Sequence, residues 1–341
     1  MDKESGSGSD RFIHPERPVL PGETGGSELT RRQLMTYGGQ GLALLGVGSL
    51  LAACGSTVGN TSGGTATGAT SLGGGKPVPG GKLTVGAISG GASESLDPGV
   101  AGIWASILRV YQLYDYLFQP GPGKEFSTLE PRMATSAEPN KDASVWTIKL
   151  RSGITWHDGK PFTADDVVWS VKSWSNSANY AHGFLAPFVD FKRVRKLDKL
   201  TVEIPLIRPT AEFPSMLTTL QCAMVQDGAT PADLARNPVG TGPFKYVSFQ
   251  PGYQSVFARN PEFWEGNGKP YVDELIVNST FQDETSRYNA LLGGEIDVSV
   301  AFPANYARQQ QSSQQVNLLS SPGGQAYNIV MRLTKPPFTD P

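Results

Sequence analysis

The stretch WTIKLRSGITWHDGKPFTADDVVWSV, residues 146–171, decides the fold. Trp146, Ile148 and Leu150 alternate with polar residues, the period of a half-buried strand whose apolar face points inward. Ser152-Gly153 makes a turn, and the strand resumes toward Trp156. Asp158-Gly159 is a second turn, since Asp satisfies nearby backbone N–H groups and Gly accepts positive φ. Pro161 stiffens the exit. Thr163 then fits a helix N-cap, with Asp165 and Asp166 in the first turn where the helix dipole favours negative charge. Asp166 stands at the reciprocal capping-box position. Val167, Val168, Val171 and Trp174 follow at helical spacing as the core-facing stripe. The cluster of His157 with three aspartates resembles a metal or acid/base site at first sight. Each Asp, however, has local structural work, and His157 beside Trp156 is expected to pack at a strand end.

Working outward, GGKLTVGAI (80–88) reads as a strand with Leu83 and Val85 on one face, followed by the loop SGGASESLDPG (89–99). A helix is expected from Ile103 to Leu117, its apolar side made by Ile103, Ile107, Val110, Tyr111 and Tyr114. LTVEIPL (200–206) is another alternating strand. PFKYVSFQPGYQSVFARNP (243–261) reads as a hairpin around Pro251-Gly252. YVDELIVNS (271–279) gives one more strand. DETSRYNALLGGEIDVSVA (283–301) gives a helix stopped at Gly293-Gly294 and then a strand. Strands and helices are interspersed without an internal repeat, so the class is mixed α/β.

The 341 residues suffice for two domains or one with appendages. Residues 1–53 hold five basic and six acidic side chains, leaving 24 Lys and Arg against 25 Asp and Glu. This near-neutral body argues against a nucleic-acid partner, which would need a concentrated basic face. There is no Gly-x-Ser-x-Gly elbow and no Gly-x-Gly-x-x-Gly after a strand. Each Gly-Lys lacks the Ser or Thr of a phosphate loop. His14, His157 and His182 are too dispersed for a local metal pair, and Cys54 and Cys222 offer no zinc spacing. No catalytic residue, metal ligand or cofactor is therefore expected.

Arg31-Arg32 precedes 21 uncharged residues, Gln33 to Ala53, diluted by five glycines. A charged edge, an apolar stretch and small residues make an export signal, and the glycines are unfavourable for a permanent span. An uncleaved anchor is the alternative. The segment resembles a twin-arginine signal, departing from it at Leu34 and Thr36, and Leu51-Ala52-Ala53-Cys54 looks like a lipobox with Cys54 as the lipidated residue. Sixteen of the next 21 residues are Gly, Ser or Thr and none is charged, the composition of a flexible tether.

Residues 146–171 resemble the signature of the family 5 solute-binding proteins of peptide- and nickel-type ABC importers. NPVGTGPFKY (237–246), LLGGEIDV (291–298) and KPPFTDP (335–341) resemble three further blocks in the family's order. The resemblance implies a periplasmic-binding-protein-like α/β fold of type II, two lobes closing on a ligand. It divides the chain into an export signal, 1–53; a linker, 54–80; lobe I, 81–277, with an inserted subdomain at about 112–207; and the beginning of lobe II, 278–341. The second lobe is expected to be incomplete, since the family's pattern runs on beyond Pro341. Ligand is expected at loops beyond strand ends: Ser93, Glu94, Ser95 and Asp97 after the first strand, Trp104 and Tyr114 behind them, and Tyr327 with Asn328 after the lobe crossing. For Trp104 and Tyr114 a place in the core is an equal reading, for Asp97 a turn, and for Gly240–Pro243 a tight turn without ligand contact. The implied protein is a monomeric extracytoplasmic lipoprotein delivering a solute, above all a di- or oligopeptide, to a membrane permease. An exported cofactor- or metal-dependent enzyme and a non-binding remnant are the alternatives.

Overall fold

The computed structural model describes residues 77–121, 128–266 and 268–300, with single positions 303, 306, 308 and 316. All of them fall within Thr65–Pro341, one of two units into which the chain divides. Cys54, Arg31, Arg32, Tyr327, Asn328, the export signal and most of the linker lie outside the described residues.

The elements in chain order are β1 (Lys82–Ile88), α1 (Trp104–Leu113), β2 (Phe118–Pro120), β3 (Leu129–Pro131), β4 (Ala134–Pro139), β5 (Val145–Leu150), α2 (Ala164–Ser173), α3 (His182–Leu185), β6 (Arg195–Asp198) and β7 (Thr201–Pro205). After these come α4 (Phe213–Met216), α5 (Pro231–Arg236), β8 (Phe244–Gln250), β9 (Gln254–Arg259), β10 (Glu274–Phe281), α6 (Glu284–Leu292) and β11 (Val298–Ser299). Among the described residues the larger sheet has the order β11-β1-β10-β9-β8. β1 runs parallel to both β10 and β11, while β10, β9 and β8 form an antiparallel meander. The second sheet, β4-β5-β7-β6, is antiparallel throughout. Each sheet has its own core. Val85, Ala87, Val110, Leu113, Phe257, Leu275 and Val277 fill the first, and Trp146, Ile148, Trp156, Val167, Val171, Trp174 and Ile204 the second.

The expected turn and cap at the heart of the opening stretch are present. Gly159 has φ 85°, and its N–H donates to Trp156 O at 2.8 Å. Thr163 is the N-cap of α2, and Asp166 Oδ2 accepts from the Thr163 backbone N–H at 2.7 Å. The other oxygen of Asp166 accepts from Asp227 N–H at 2.9 Å, so this buried carboxylate also fastens the segment before α5. Asp165 pairs with Lys196 at 2.7 Å and Asp158 with Lys160 at 3.0 Å.

His157 differs from expectation: it plugs into the Gly240–Gly242 turn rather than packing at a strand end. Its backbone N–H donates to Gly240 O at 2.8 Å, while Gly240 N–H donates to Nδ1 at 3.2 Å. With Nδ1 accepting, Nε2 must carry the proton that reaches Gly242 O at 3.0 Å, which fixes the tautomer. Burial pushes the imidazole pKa down to about 4, with Lys245 adding to the drop and the Gly242 contact opposing it. The glycines here serve close approach rather than positive φ. A Cβ on Gly240 would lie 1.7 Å from Leu113 O, and one on Gly242 2.5 Å from Gln112 O.

The first helix is shorter than expected, Trp104–Leu113, because Tyr114 turns extended at its C-cap. Of the expected face, Val110 and Tyr114 are buried and Ile107 packs on the core, but Tyr111 is exposed and Ala105, Ser106, Arg109 and Leu113 point inward as well. A charged residue, Arg109, thus stands on the core side.

Replacing Asp166 with Ala should lower unfolding stability by about 1–2 kcal/mol, measured by urea denaturation, since a cap and a buried backbone contact are lost together. An unchanged midpoint would contradict the assignment. His157 favours the neutral form in the native state (pKa about 4, against 6.5 for the free side chain). Its contribution is full above pH 6.5 and disappears as the pH falls toward 4, because the unfolded chain takes up the proton first. The urea midpoint should therefore fall over that window more steeply in the native protein than in His157→Gln.

Candidate functional site

Between Leu83 and Tyr114 the chain carries only three charged side chains, Glu94, Asp97 and Arg109. Two of them form the centre of the site. Arg109 Nη1 meets Glu94 Oε2 at 2.8 Å, with both side chains fully buried. The other two guanidinium nitrogens are also engaged: Nε reaches Ser255 Oγ at 2.6 Å and Nη2 reaches Ser279 Oγ at 2.9 Å. The guanidinium lies over the Phe249 ring, 5.0 Å from its centroid. Burial lowers the Arg109 pKa and Glu94 opposes the drop; a guanidinium stays charged nevertheless.

Glu94 gathers backbone as well as side chains. Its Oε1 accepts from Gly90 N–H at 2.9 Å, and Oε2 accepts from Gly252 N–H at 3.1 Å and Ser279 Oγ at 2.9 Å. Five segments thus meet at one ion pair: the loop after β1, helix α1, the β8–β9 turn, β9 and β10. All lie at the C-terminal ends of the parallel strands β1 and β10, where ligands of open α/β sheets bind. A buried pair is tolerated when hydrogen bonds offset its desolvation, and here every guanidinium nitrogen and both carboxylate oxygens have a partner.

The other candidates from sequence divide by accessibility. Ser93 is exposed and donates to Gly90 O at 2.6 Å. Ser95 Oγ accepts from Asp97 N–H at 3.1 Å, and its own N–H donates to Ser106 Oγ at 2.9 Å. Asp97 caps the single helical turn Pro98–Val100 by accepting from Gly99 N–H at 2.8 Å. Burial raises its pKa, with the Gly99 contact opposing. Glu94 is therefore held in an internal network, and Asp97 has a turn to hold.

Tyr114 is sealed in the core at the end of α1, its hydroxyl without a hydrogen-bond partner. Burial, reinforced by the charge of Asp97, drives its pKa well above the usual phenol value. Trp104 does not take a place in the core: it is 50% exposed at the helix start. Near it stands Tyr180, 53% exposed, whose ring touches the Gly102 backbone and whose N–H donates to Gly99 O at 2.8 Å. Val100 is also exposed, so these neighbouring segments form an exposed apolar rim.

Arg109, Ser255, Ser279 and Tyr180 were not among the residues singled out from sequence. Arg109 could have been found: phasing α1 on Ala105 and Leu113 puts it on the buried stripe, where a lone cation demands a buried anion. The serines carried no such signal. A cavity of about 550 Å³ lined by Tyr111, Tyr116, Phe118, Arg132 and Tyr271 lies at the other end of the sheet, beside the residues that precede β10. Its Arg132 is already paired with Asp115 at 2.6 Å and Glu265 at 2.9 Å. Among the described residues no group of His, Cys, Asp and Glu could hold a metal ion. No helix there is long and apolar enough to cross a membrane.

A ligand loop anchored at parallel strand ends in a mixed α/β sheet is the arrangement of periplasmic binding proteins. Residues 128–341 match the family of bacterial extracellular solute-binding proteins, family 5 middle, and the chain belongs to that family. It is 29% identical over 235 residues to the dipeptide-binding protein of Escherichia coli K12, covering 62% of this chain and 43% of the relative. To the glutathione-binding protein GsiB of Pectobacterium atrosepticum it is 28% identical over 259 residues, covering 74% of this chain and 48% of the relative. Among solved structures it is similar to the periplasmic binding protein DppA of Helicobacter pylori in complex with the peptide STSA. That match has a TM-score of 0.58 and 25% identity, and covers 70% of this chain and 50% of the other. It is also similar to MoaA of A. tumefaciens R10 in complex with mannopinic acid, with a TM-score of 0.62, 27% identity, and coverage of 76% and 53%. The chain spans about half the length of the curated relatives it matches. These relatives are named for solutes they bind, none for a reaction.

Removing one partner of the buried pair, by Arg109→Met or Glu94→Gln, should destabilise the fold by about 3–5 kcal/mol. The double variant should recover a substantial part, because no unpaired charge is left buried. Additive losses in the double-mutant cycle would contradict the coupling.

Proposed function

We propose that this chain captures a small solute, above all a di- or oligopeptide, outside the cytoplasm and delivers it to the permease of an ABC importer. The observation that carries the reading is the loop Ser89–Asp97, tied through Glu94 and Arg109 to the ends of β1 and β10. No catalysis is involved: ligand shifts the balance toward a closed arrangement of two lobes by binding that arrangement better. Lobe I is residues 81–277 with the subdomain inserted at about 112–207, and 278–341 begin lobe II.

Within this reading the accessible groups at the loop, Ser93 and the rim of Trp104 and Tyr180, touch the solute. Glu94, Ser95 and Asp97 hold the loop in shape for them. Tyr327 and Asn328 contribute from the second lobe. Peptide is preferred over other solutes because relatives named for dipeptide, di- and tripeptide and glutathione binding are similar to this chain in sequence. Residues 31–53 direct export, Cys54 carries lipid, and the chain acts as a tethered monomer at the membrane.

A thermal-shift screen of dipeptides, tetrapeptides, glutathione, opines, oligosaccharides and nickel chelates tests the reading. A ligand that binds only the native state raises the melting temperature by mass action. Peptides should give the largest rise, and Trp104→Ala should reduce it without moving the ligand-free midpoint by more than a degree or so, as for an exposed side chain. No shift with any class, on this chain or on one extended past Pro341, contradicts solute capture.

A further inference from the structure

Residues 190–208, DFKRVRKLDKLTVEIPLIR, hold six basic and three acidic side chains, a net +3 in a chain whose total is −2. Three of the six, Lys192, Arg193 and Arg195, line two adjoining cavities of about 680 and 520 Å³, and both cavities are also lined by Lys172 from α2. The smaller adds Arg193, Arg195 and Glu203; the larger adds His182, Asp190, Phe191, Val189 and Ile207. Cations thus border an apolar shelf on which Ile207 is 63% exposed.

The acidic groups facing this surface account for only part of it. Glu203 holds Arg195 at 2.8 Å, Asp190 lies 3.8 Å from Arg193, and Asp165 holds Lys196 at 2.7 Å. Neither Lys172 nor Lys192 has an ion-pair partner among the described residues. Charges on an edge strand commonly serve to block unwanted strand pairing, and β6 is such an edge. That explanation covers Arg195 and Lys196. It does not cover Lys172, on a helix, or Lys192 and Arg193, which precede the strand.

We infer that this face rests on an anionic phospholipid surface, the cations at the headgroups and Ile207 and Phe191 at the apolar boundary. The inference rests on the tether proposed above. A lipid on Cys54, only 27 residues before Lys82, would hold the body near the bilayer; a coil of Gly/Ser-type composition and that length has an r.m.s. span of roughly 30 Å. At that effective concentration, individually weak electrostatic contacts suffice to orient the molecule.

The test uses the full chain with vesicles of phosphatidylcholine alone and vesicles containing phosphatidylglycerol, followed by sedimentation and by hydrogen exchange of residues 190–199. Binding to phosphatidylcholine reports the hydrophobic anchor alone, so its absence would count against the tether and leave the charge-dependent excess readable. Phosphatidylglycerol should add affinity and protect residues 190–199. The triple variant Lys172→Gln, Lys192→Gln, Arg193→Gln should lose about fivefold of that excess for each cation removed. High salt should remove the excess. The three side chains are exposed, so the variant's unfolding midpoint should stay at that of the native protein. Equal binding to both vesicles, an excess unchanged in the folded triple variant, or equal protection by soluble polyphosphate would overturn the inference.

Discussion

Everything near the proposed ligand loop depends on one buried ion pair, Glu94 with Arg109. Each charge alone would be costly to take out of water, by several kcal/mol even after relaxation. Together, with Ser255, Ser279 and the amides of Gly90 and Gly252, they give every nitrogen and oxygen of the pair a partner. The same contacts that satisfy the charges join a loop, a helix, a turn and two strands at one point. Moving any of these segments would break a charge-assisted bond in a dry environment, so the geometry of the loop is set by electrostatic necessity. That rigidity suits a binder, because a preorganised loop does not have to be ordered when solute arrives.

A second constraint acts where the two sheets meet. Gly240 and Gly242 lie so close to the last carbonyls of α1 that no side chain fits, and His157 fills the turn from the other side. The imidazole works as a fixed neutral spacer, donating through one nitrogen and accepting through the other. The residue that looked most like chemistry in the opening stretch is thus an element of assembly. Cys222 is similarly inert: it is free, buried, and its thiol is pushed up to about 12 by burial.

Local structure was legible in the sequence wherever short-range physics decides it. The alternation at Trp146, Ile148 and Leu150 placed β5, the Thr163–Asp166 spacing placed the start of α2, and Pro251-Gly252 placed the β8–β9 hairpin. The failures came where distant contacts decide. Apolar spacing put Tyr111 inside and said nothing of Arg109, which points inward to Glu94, Ser255 and Ser279. His157 was assigned to a strand end because its partners are more than eighty positions away. The candidate site was visible as a loop but not as a division of labour. Glu94 and Asp97 are expected at the ligand from their place in the loop beyond β1, yet both are buried and serve the loop itself. Tyr180, open at the rim, comes from a segment that no local pattern connected to the loop.

The most direct measurement of the account is the amide hydrogen exchange of Gly90 and Gly252, the two loop N–H groups that donate to Glu94. If the ion pair holds the loop, both should exchange as slowly as the amides of β10, and both should accelerate together in Glu94→Gln. Exchange at the rate of a free loop in the native protein, or acceleration of one amide without the other, would contradict the claim that this pair fixes the ligand loop.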